Sequence, residues 1–209
     1  ELGWKTELFD NSLRFNGSAF FVDIEGLQTT IFDPSIVNLF FSDNAANAEI
    51  KGIEGDFTWA PASVDGLTVA GAFSLLDTEI TEVLVPTDDV VEGTDLAFAP
   101  AYQGNLRVRY EWDLEQEVAG QRLTAHVMPQ IVFSDDSVTD VIEINKMELD
   151  GYVTLGATLG VTADNWGAEL FATNLTNEYA ELSGSFVYDR ERVTPMRPRT
   201  IGIRVSYDY

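Results

Sequence analysis

Apolar and polar residues alternate with period two along most of this chain. The last stretch, Thr200 to Tyr209, is the cleanest case: Ile201, Ile203, Val205, Tyr207 and Tyr209 share one face, and Thr200, Gly202, Arg204, Ser206 and Asp208 the other. Period two places successive side chains on opposite faces of a strand. Gly3 to Phe9 alternates more weakly and turns at Asp10-Asn11-Ser12. A second strand then runs from Leu13 to about Gln28, with Leu13, Phe15, Gly17, Ala19 and Phe21 on one side. The pattern predicts a loop over about 29–47, in which Phe40-Phe41 is unusually apolar. A third strand covers Ala48 to Ala60, a short turn about 61–66, and a fourth strand Leu67 to Ile80.

An acidic loop follows over about 81–100, and then a fifth strand sets Leu106, Val108, Tyr110, Trp112 and Leu114 against Arg107, Arg109, Glu111 and Asp113. After a short turn over 115–120 the sixth strand carries Leu123, Ala125, Val127, Pro129, Ile131 and Phe133 on one face. Pro129 lacks a ladder donor and predicts a bulge or a local edge. A second acidic loop covers about 134–146. The seventh strand alternates Val153, Leu155, Ala157, Leu159 and Val161 with Thr154, Gly156, Thr158, Gly160 and Thr162. Asp164-Asn165 turns into an eighth strand, Trp166 to about Leu175, and a loop over 177–197 leads to the closing strand.

The connections therefore alternate short and long. Every neighbouring pair can close as a hairpin, and the long loops fall on one side. Short turns on one side and long loops on the other are the pattern of an outer-membrane barrel. Strands of about ten residues, at about 3.4 Å each and tilted by about 40°, cross an apolar band of roughly 25 Å. Trp59, Trp112 and Trp166 lie near short turns on the apolar face, and Tyr209 ends at the same level. Aromatics at one level form an interfacial girdle, whereas core aromatics have no reason to share one. Trp4 lies off that plane. Nine strands leave two open edges, and bacterial single-chain barrels have even strand numbers, so either the true count differs from nine or these strands belong to a larger barrel.

Composition limits the partners. The 209 residues carry a formal charge of -23, which argues against nucleic acid and against adsorption to an anionic leaflet by charge alone. A hydrophobic content of 45% argues against disorder, and zero cysteines leave no disulfide framework or thiolate metal site. No apolar run approaches the roughly 18 residues of a membrane helix, a test blind to barrels. Glu1-Leu2-Gly3-Trp4 opens directly into strand-like sequence with no signal peptide, as if cut from a longer chain.

His126, the single histidine, is expected to face the lumen as a polar wall residue. It lacks the Asp-His or Ser-His partners of a barrel protease or phospholipase, so no enzyme is expected. Asp88-Asp89 and Asp135-Asp136 could offer Ca²⁺ carboxylates but lack the regular spacing of a dedicated loop, and are read as solvated, charge-rich loops. The sequons at Asn16 and Asn174 are read as chance matches on membrane-spanning strands. No cofactor is implied.

Four stretches carry a resemblance. Leu170 to Tyr179, LFATNLTNEY, resembles the NLxDxxY signature of the penultimate strand of TonB-dependent outer-membrane receptors. Met196-Arg197-Pro198-Arg199-Thr200-Ile201-Gly202 resembles the approach to their last strand, and Tyr207 and Tyr209 their terminal assembly signal. Gly3, Lys5, Asp10, Leu13, Asn16, Phe20 and Asp23 resemble a hairpin common in these receptors. Asn177 stands where Asp is commoner, Tyr179 comes one residue early, Pro198-Arg199 lacks the usual glycine, and Tyr replaces the terminal Phe.

The resemblance implies the C-terminal part of an antiparallel, up-and-down, 22-stranded barrel with a plugged lumen. The plug and the TonB box would lie N-terminal to it, outside this chain. It also implies outer-membrane lipid around the wall, the remaining barrel strands and plug as partners, the TonB complex acting through the plug, and the barrel-assembly machinery reading Gly202, Tyr207 and Tyr209. The implied function is energised import of a ferric siderophore, haem, cobalamin or an oligosaccharide. The competing readings are a structural barrel or surface-assembly scaffold without transport, and a soluble β-sandwich, which would show the same alternation.

Overall fold

The computed structural model describes residues 1–33, 39–85, 87–118, 120–187 and 190–208. Nine of its strands make one antiparallel sheet: β1 (Leu2–Leu8), β2 (Leu13–Asp33), β3 (Leu39–Trp59), β4 (Leu67–Val83), β5 (Tyr102–Val118), β6 (Gln121–Ser134), β9 (Tyr152–Thr162), β10 (Trp166–Thr173) and β13 (Thr200–Tyr207). Each pairs with its neighbour along the chain, so the sheet is an up-and-down meander of nine strands, as the alternation predicts. Between them lie two small ladders, β7 (Ser137–Val138) with β8 (Glu148–Leu149), and β11 (Glu181–Val187) with β12 (Arg190–Pro195).

The short connections are tight. Phe9, Asp10 and Asn11 all take left-handed backbone, and the Ser12 amide donates to the Phe9 carbonyl at 3.1 Å. Asn and Asp tolerate that region through local hydrogen bonding, but Phe9 does not, and its 73% exposed ring shows that the turn rather than packing holds it there.

Several expectations are corrected. The loop expected over 29–47 is largely strand: β2 and β3 run on in register to Asp33↔Leu39, and Phe40 and Phe41 lie on β3 opposite Phe32 and Ile31. The alternation was lost there because β2 bulges. Its register shifts at Ile24/Leu27, where Gly26 (φ 70°) bonds Asn47 Oδ1 at 2.9 Å. The turn over 115–120 is shorter than expected, since β5 reaches Val118 and β6 restarts at Gln121 after a shift between Asp113 and Glu117. Pro129 produces no bulge, since Arg107↔Gln130 and Tyr110↔Val127 keep one register and Pro129 pairs with Ala157, but the ladder to β5 is interrupted at Pro129 and Met128, a local edge of the kind expected. The loop over 177–197 contains the β11–β12 hairpin.

Candidate functional site

Strand register sorts the side chains into rows. On one face run Phe15–Phe57–Gly71–Leu106–Ile131–Leu155, and nearer the opposite edge Tyr110–Val127–Leu159–Leu170–Ile203. These apolar residues form no dry centre. Leu155, Leu159, Leu170 and Ile203 are 40%, 51%, 49% and 76% exposed. A continuous apolar face of this size on water would be an aggregation surface. The other face carries polar rows, among them Ser18–Glu54–Ser74–Gln103–Ser134–Tyr152. It is the hollow side, with a groove of about 710 Å³ over Lys5, Asn16, Ser18, Glu54, Asp56 and Ser74.

Higher on β2–β4 the two faces exchange character. The outward rows become Phe21–Lys51–Asp77 and Asp23–Glu49–Glu79, with Lys51 Nζ 3.0 Å from Glu49. The inward row becomes Ile24–Ala48–Ile80, in which Ala48 and Ile80 are fully buried. From Trp59, at the end of β3, to Lys51 is about eight residues, or ~27 Å along the strand and ~21 Å along an axis tilted by about 40°. That is close to the height of a barrel's apolar band.

Above that level the acidic segments keep Asp88 and Asp136 exposed, as expected, but bury apolar neighbours that the sequence reading passed over. Val90, Val141 and Ile142 join Ala46 and Ile80 in a small buried core, flanked by Leu27, Val83, Leu96 and Ala97. The β4–β5 connection covers the upper edge of β4, where Ile80 N donates to Thr94 O and Gly93 N to Ile80 O. Thr78 Oγ1 accepts from Leu96 N at 3.1 Å, and Glu143 N reaches Asp89 O across to the next connection. Among the described residues no cluster of His and carboxylates has a metal-holding arrangement.

His126 lies on the hollow side, in the row Glu111–His126–Gly160–Glu169–Arg204. Its ring lies over Gly160, where an added Cβ would come 2.4 Å from Cε1. Its side chain is almost wholly buried. Nε2 is 3.3 Å from Glu169 Oε1, close enough for an ion pair but too poorly aligned for a hydrogen bond. Arg204 holds the other Glu169 oxygen at 2.7 Å and stacks over Phe171, and Arg109 holds Glu111 at 2.7 Å. Gln130 over Gly156 and Phe171 over Gly202 repeat the arrangement: a large inward side chain fills the space that glycine leaves on the next strand. These glycines read in the sequence only as small members of an alternating strand, so their role as sockets was not foreseen.

The NLTNEY segment ties the upper hairpin together. Asn174, just past β10 and in left-handed backbone, is 6% exposed. It donates to Glu178 O at 2.8 Å and Arg197 O at 3.1 Å, and accepts from Glu178 N at 2.8 Å. Asn177, also left-handed, accepts from Arg199 N at 3.0 Å. Asn174 therefore lies beyond the strand rather than on it, and its side chain is committed to backbone groups. Asn16 is on β2 and reaches Asp56 at 3.3 Å.

The expected interfacial residues are placed as follows. Trp59 ends β3 and Trp166 opens β10, while Trp112 sits six residues before the end of β5, stacked on Tyr110 at 5.7 Å. Trp59 and Trp112 are 41% and 40% exposed, and Trp166 is half-buried. Tyr207 pairs with Trp166 and is 62% exposed, and Gly202 pairs with Phe171. Tyr209 lies outside the described residues.

Comparison with known proteins agrees with this geometry. A sequence model described as "TonB dependent receptor-like, beta-barrel" matches residues 1–177. The siderophore receptor PiuA from Acinetobacter baumannii superposes with a TM-score of 0.74 at 21% identity, over 99% of this chain and 28% of that one. The ferric yersiniabactin uptake receptor FyuA from Yersinia pestis gives 0.74 at 17%, over 99% and 29%. The ferric-catecholate import receptor Fiu from E. coli K12 gives 0.65 at 17%, over 97% and 26%. The chain thus spans under a third of the length of the structures it matches.

Proposed function

Because the chain belongs to the TonB-dependent receptor β-barrel family, we propose that it forms barrel wall, lumen lining and extracellular loops of a receptor that imports a scarce nutrient across the bacterial outer membrane. The observation that carries this reading is the exchange of faces on β2–β4. Apolar residues point outward over about one membrane thickness, and carboxylates take over where lipid would end. In lipid every backbone group needs an internal partner, so the remaining strands of a closed barrel would pair the free edges of β1 and β13. The plug and the TonB complex acting through it are the partners of that mechanism, and the plug would lie against the polar hollow. Trp59, Trp112, Trp166 and Tyr209 would mark the inner interface. Gly202, Tyr207 and Tyr209 would be read by the barrel-assembly machinery.

The similar structures are named for siderophores and ferric chelates, which makes a ferric chelate the first cargo to test over haem, cobalamin or an oligosaccharide. The test is uptake of radiolabelled iron chelates by cells with the gene intact, deleted, or intact in a strain lacking TonB. Import is expected only in the first. A deletion strain that imports every chelate normally, with the protein still found in the outer membrane of the parent, would favour the non-transporting scaffold.

A further inference from the structure

The β1–β2 turn holds a bulky aromatic residue in a backbone conformation that packing does not explain. Phe9, Asp10 and Asn11 all take left-handed backbone, with φ 54°, 55° and 65°. Asp and Asn enter that region through their short polar side chains, whereas Phe pays a steric cost there. The Phe9 ring gains little from the protein in return, since it is 73% exposed. Nor does the turn need an aromatic to close. Ser12 N donates to Phe9 O at 3.1 Å and Ala60 N to Ser12 O at 2.8 Å, all through backbone.

Strand register sets the height of the ring. Leu8 pairs with Leu13, Leu13 with Trp59, Trp59 with Val69 and Val69 with Val108, which makes one outward row across β1–β5. Leu8 and Trp59 are 45% and 41% exposed in that row. Phe9 follows Leu8 directly, about 3.8 Å further on between Cα atoms. The apolar outward face therefore continues past the end of β1 onto the turn, at the level that Trp59 marks. Short turns lie on the periplasmic side of an outer-membrane barrel, and aromatic residues gather where its apolar band ends.

We propose that Phe9 anchors the β1–β2 turn in the inner-leaflet interface of the outer membrane, with its ring among the upper acyl carbons of the phospholipids. Asp10 and Asn11, both exposed, stay on the water side. Phe9 to Ser12 include Asp10 and no lysine or arginine, so attraction to anionic headgroups does not hold the turn. The anchor is apolar, and its occupant is phospholipid of either headgroup charge. The proposal rests on the reading of the outward face as a lipid-facing wall.

The test uses the intact receptor in phosphatidylcholine vesicles. A nitrobenzoxadiazole label on Phe9→Cys reports the depth of the turn. The same label on Leu155→Cys, an outward mid-strand position, is the membrane control. Blue-shifted emission is expected at position 9, quenched more by lipids brominated near the headgroup than near the chain end. It should not change with salt or with added phosphatidylglycerol. Stability supplies a second readout, the urea midpoint in the same vesicles. Asn tolerates left-handed backbone, so an idle ring would make Phe9→Asn more stable than the parent. With the ring in lipid, Phe9→Asn shifts the midpoint down and Phe9→Trp holds it. Folding is checked by heat-modifiable migration, and label depth decides where Phe9→Asn does not fold. A label at position 9 that stays in water, or a raised midpoint in Phe9→Asn, overturns the proposal. So does shielding that appears only when the periplasmic domain of TonB is added, which would give the ring to a protein partner. Quenching at position 155 with none at position 9 refutes the anchor alone. Quenching at neither refutes the lipid-facing wall on which it rests.

Discussion

Leu155 and Thr154 are consecutive residues on β9 that point to opposite faces, and exchanging each for arginine separates a lipid-facing wall from a water-facing one. Leu155 is 40% exposed in the sheet and lies two residues from Ala157, the middle of the strand. If that exposed surface meets hydrocarbon, an arginine near mid-depth costs ~2–4 kcal/mol. Removing the leucine's contacts adds ~1 kcal/mol, somewhat under half the value of a fully buried leucine. The sum, ~3–5 kcal/mol, is a large share of a typical folding free energy of about 5–15 kcal/mol. Thr154 looks into the hollow beside Val132. Its arginine can extend into water, so the expected cost of Thr154→Arg stays below ~1 kcal/mol. The assay is refolding of the intact receptor into short-chain phosphatidylcholine vesicles over a urea series, read by heat-modifiable migration. Leu155→Arg should shift the midpoint sharply down and Thr154→Arg barely. The reverse order, with Thr154→Arg failing to insert and Leu155→Arg folding normally, would show that the apolar face is an interior and would refute the membrane reading.

Asn174→Ala removes two donated bonds and one accepted bond from a nearly buried side chain. The expected loss is ~2–4 kcal/mol, read as easier proteolysis of the β11–β12 hairpin with the main sheet intact. Gly160→Val drives a side chain into the His126 ring and should cost ~1–3 kcal/mol, while His126→Ala in the same chain should recover much of it; additive losses would show that the socket is not where the strain lies. Brominated lipids labelled at the headgroup end of the chain should quench Trp59 and Trp166 more than mid-chain labels do. Stronger mid-chain quenching would contradict an interfacial level for them.

The nine strands were legible because each hairpin repeats period two between turn residues, and a buried side chain cannot change face without breaking the period. The parts beyond the apolar band were not, for reasons that lie in particular residues. Gly26 adds one residue to β2, so the faces of Leu27 onward no longer continue those of Leu13 to Phe21. Lys51 and Asp77 put charge on positions whose parity, read from Ile53 and Leu75, calls for apolar side chains. Val90, Val141 and Ile142 belong to two-residue apolar runs between carboxylates, too short to show a periodicity. They acquire a core only where the inward face of β2–β4 turns dry, against Ala46 and Ile80.

That reversal also explains why the chain can be so acidic without coming apart. Within the rows of the apolar band, inward Glu111 is answered by Arg109 on its own strand and Glu169 by Arg204 across the ladder, close to the ring of His126, while Glu54 and Asp56 are bonded to Ser18 and Asn16. A carboxylate left alone there would face a lumen of restricted water, where unpaired charge is costly. Above the band, Asp23, Glu49, Asp77 and Glu79 face outward into solvent, which screens them over about 8 Å. The named inward carboxylates thus each have a polar partner, while outward Asp23, Asp77 and Glu79 have no cation within 4.0 Å among the described residues.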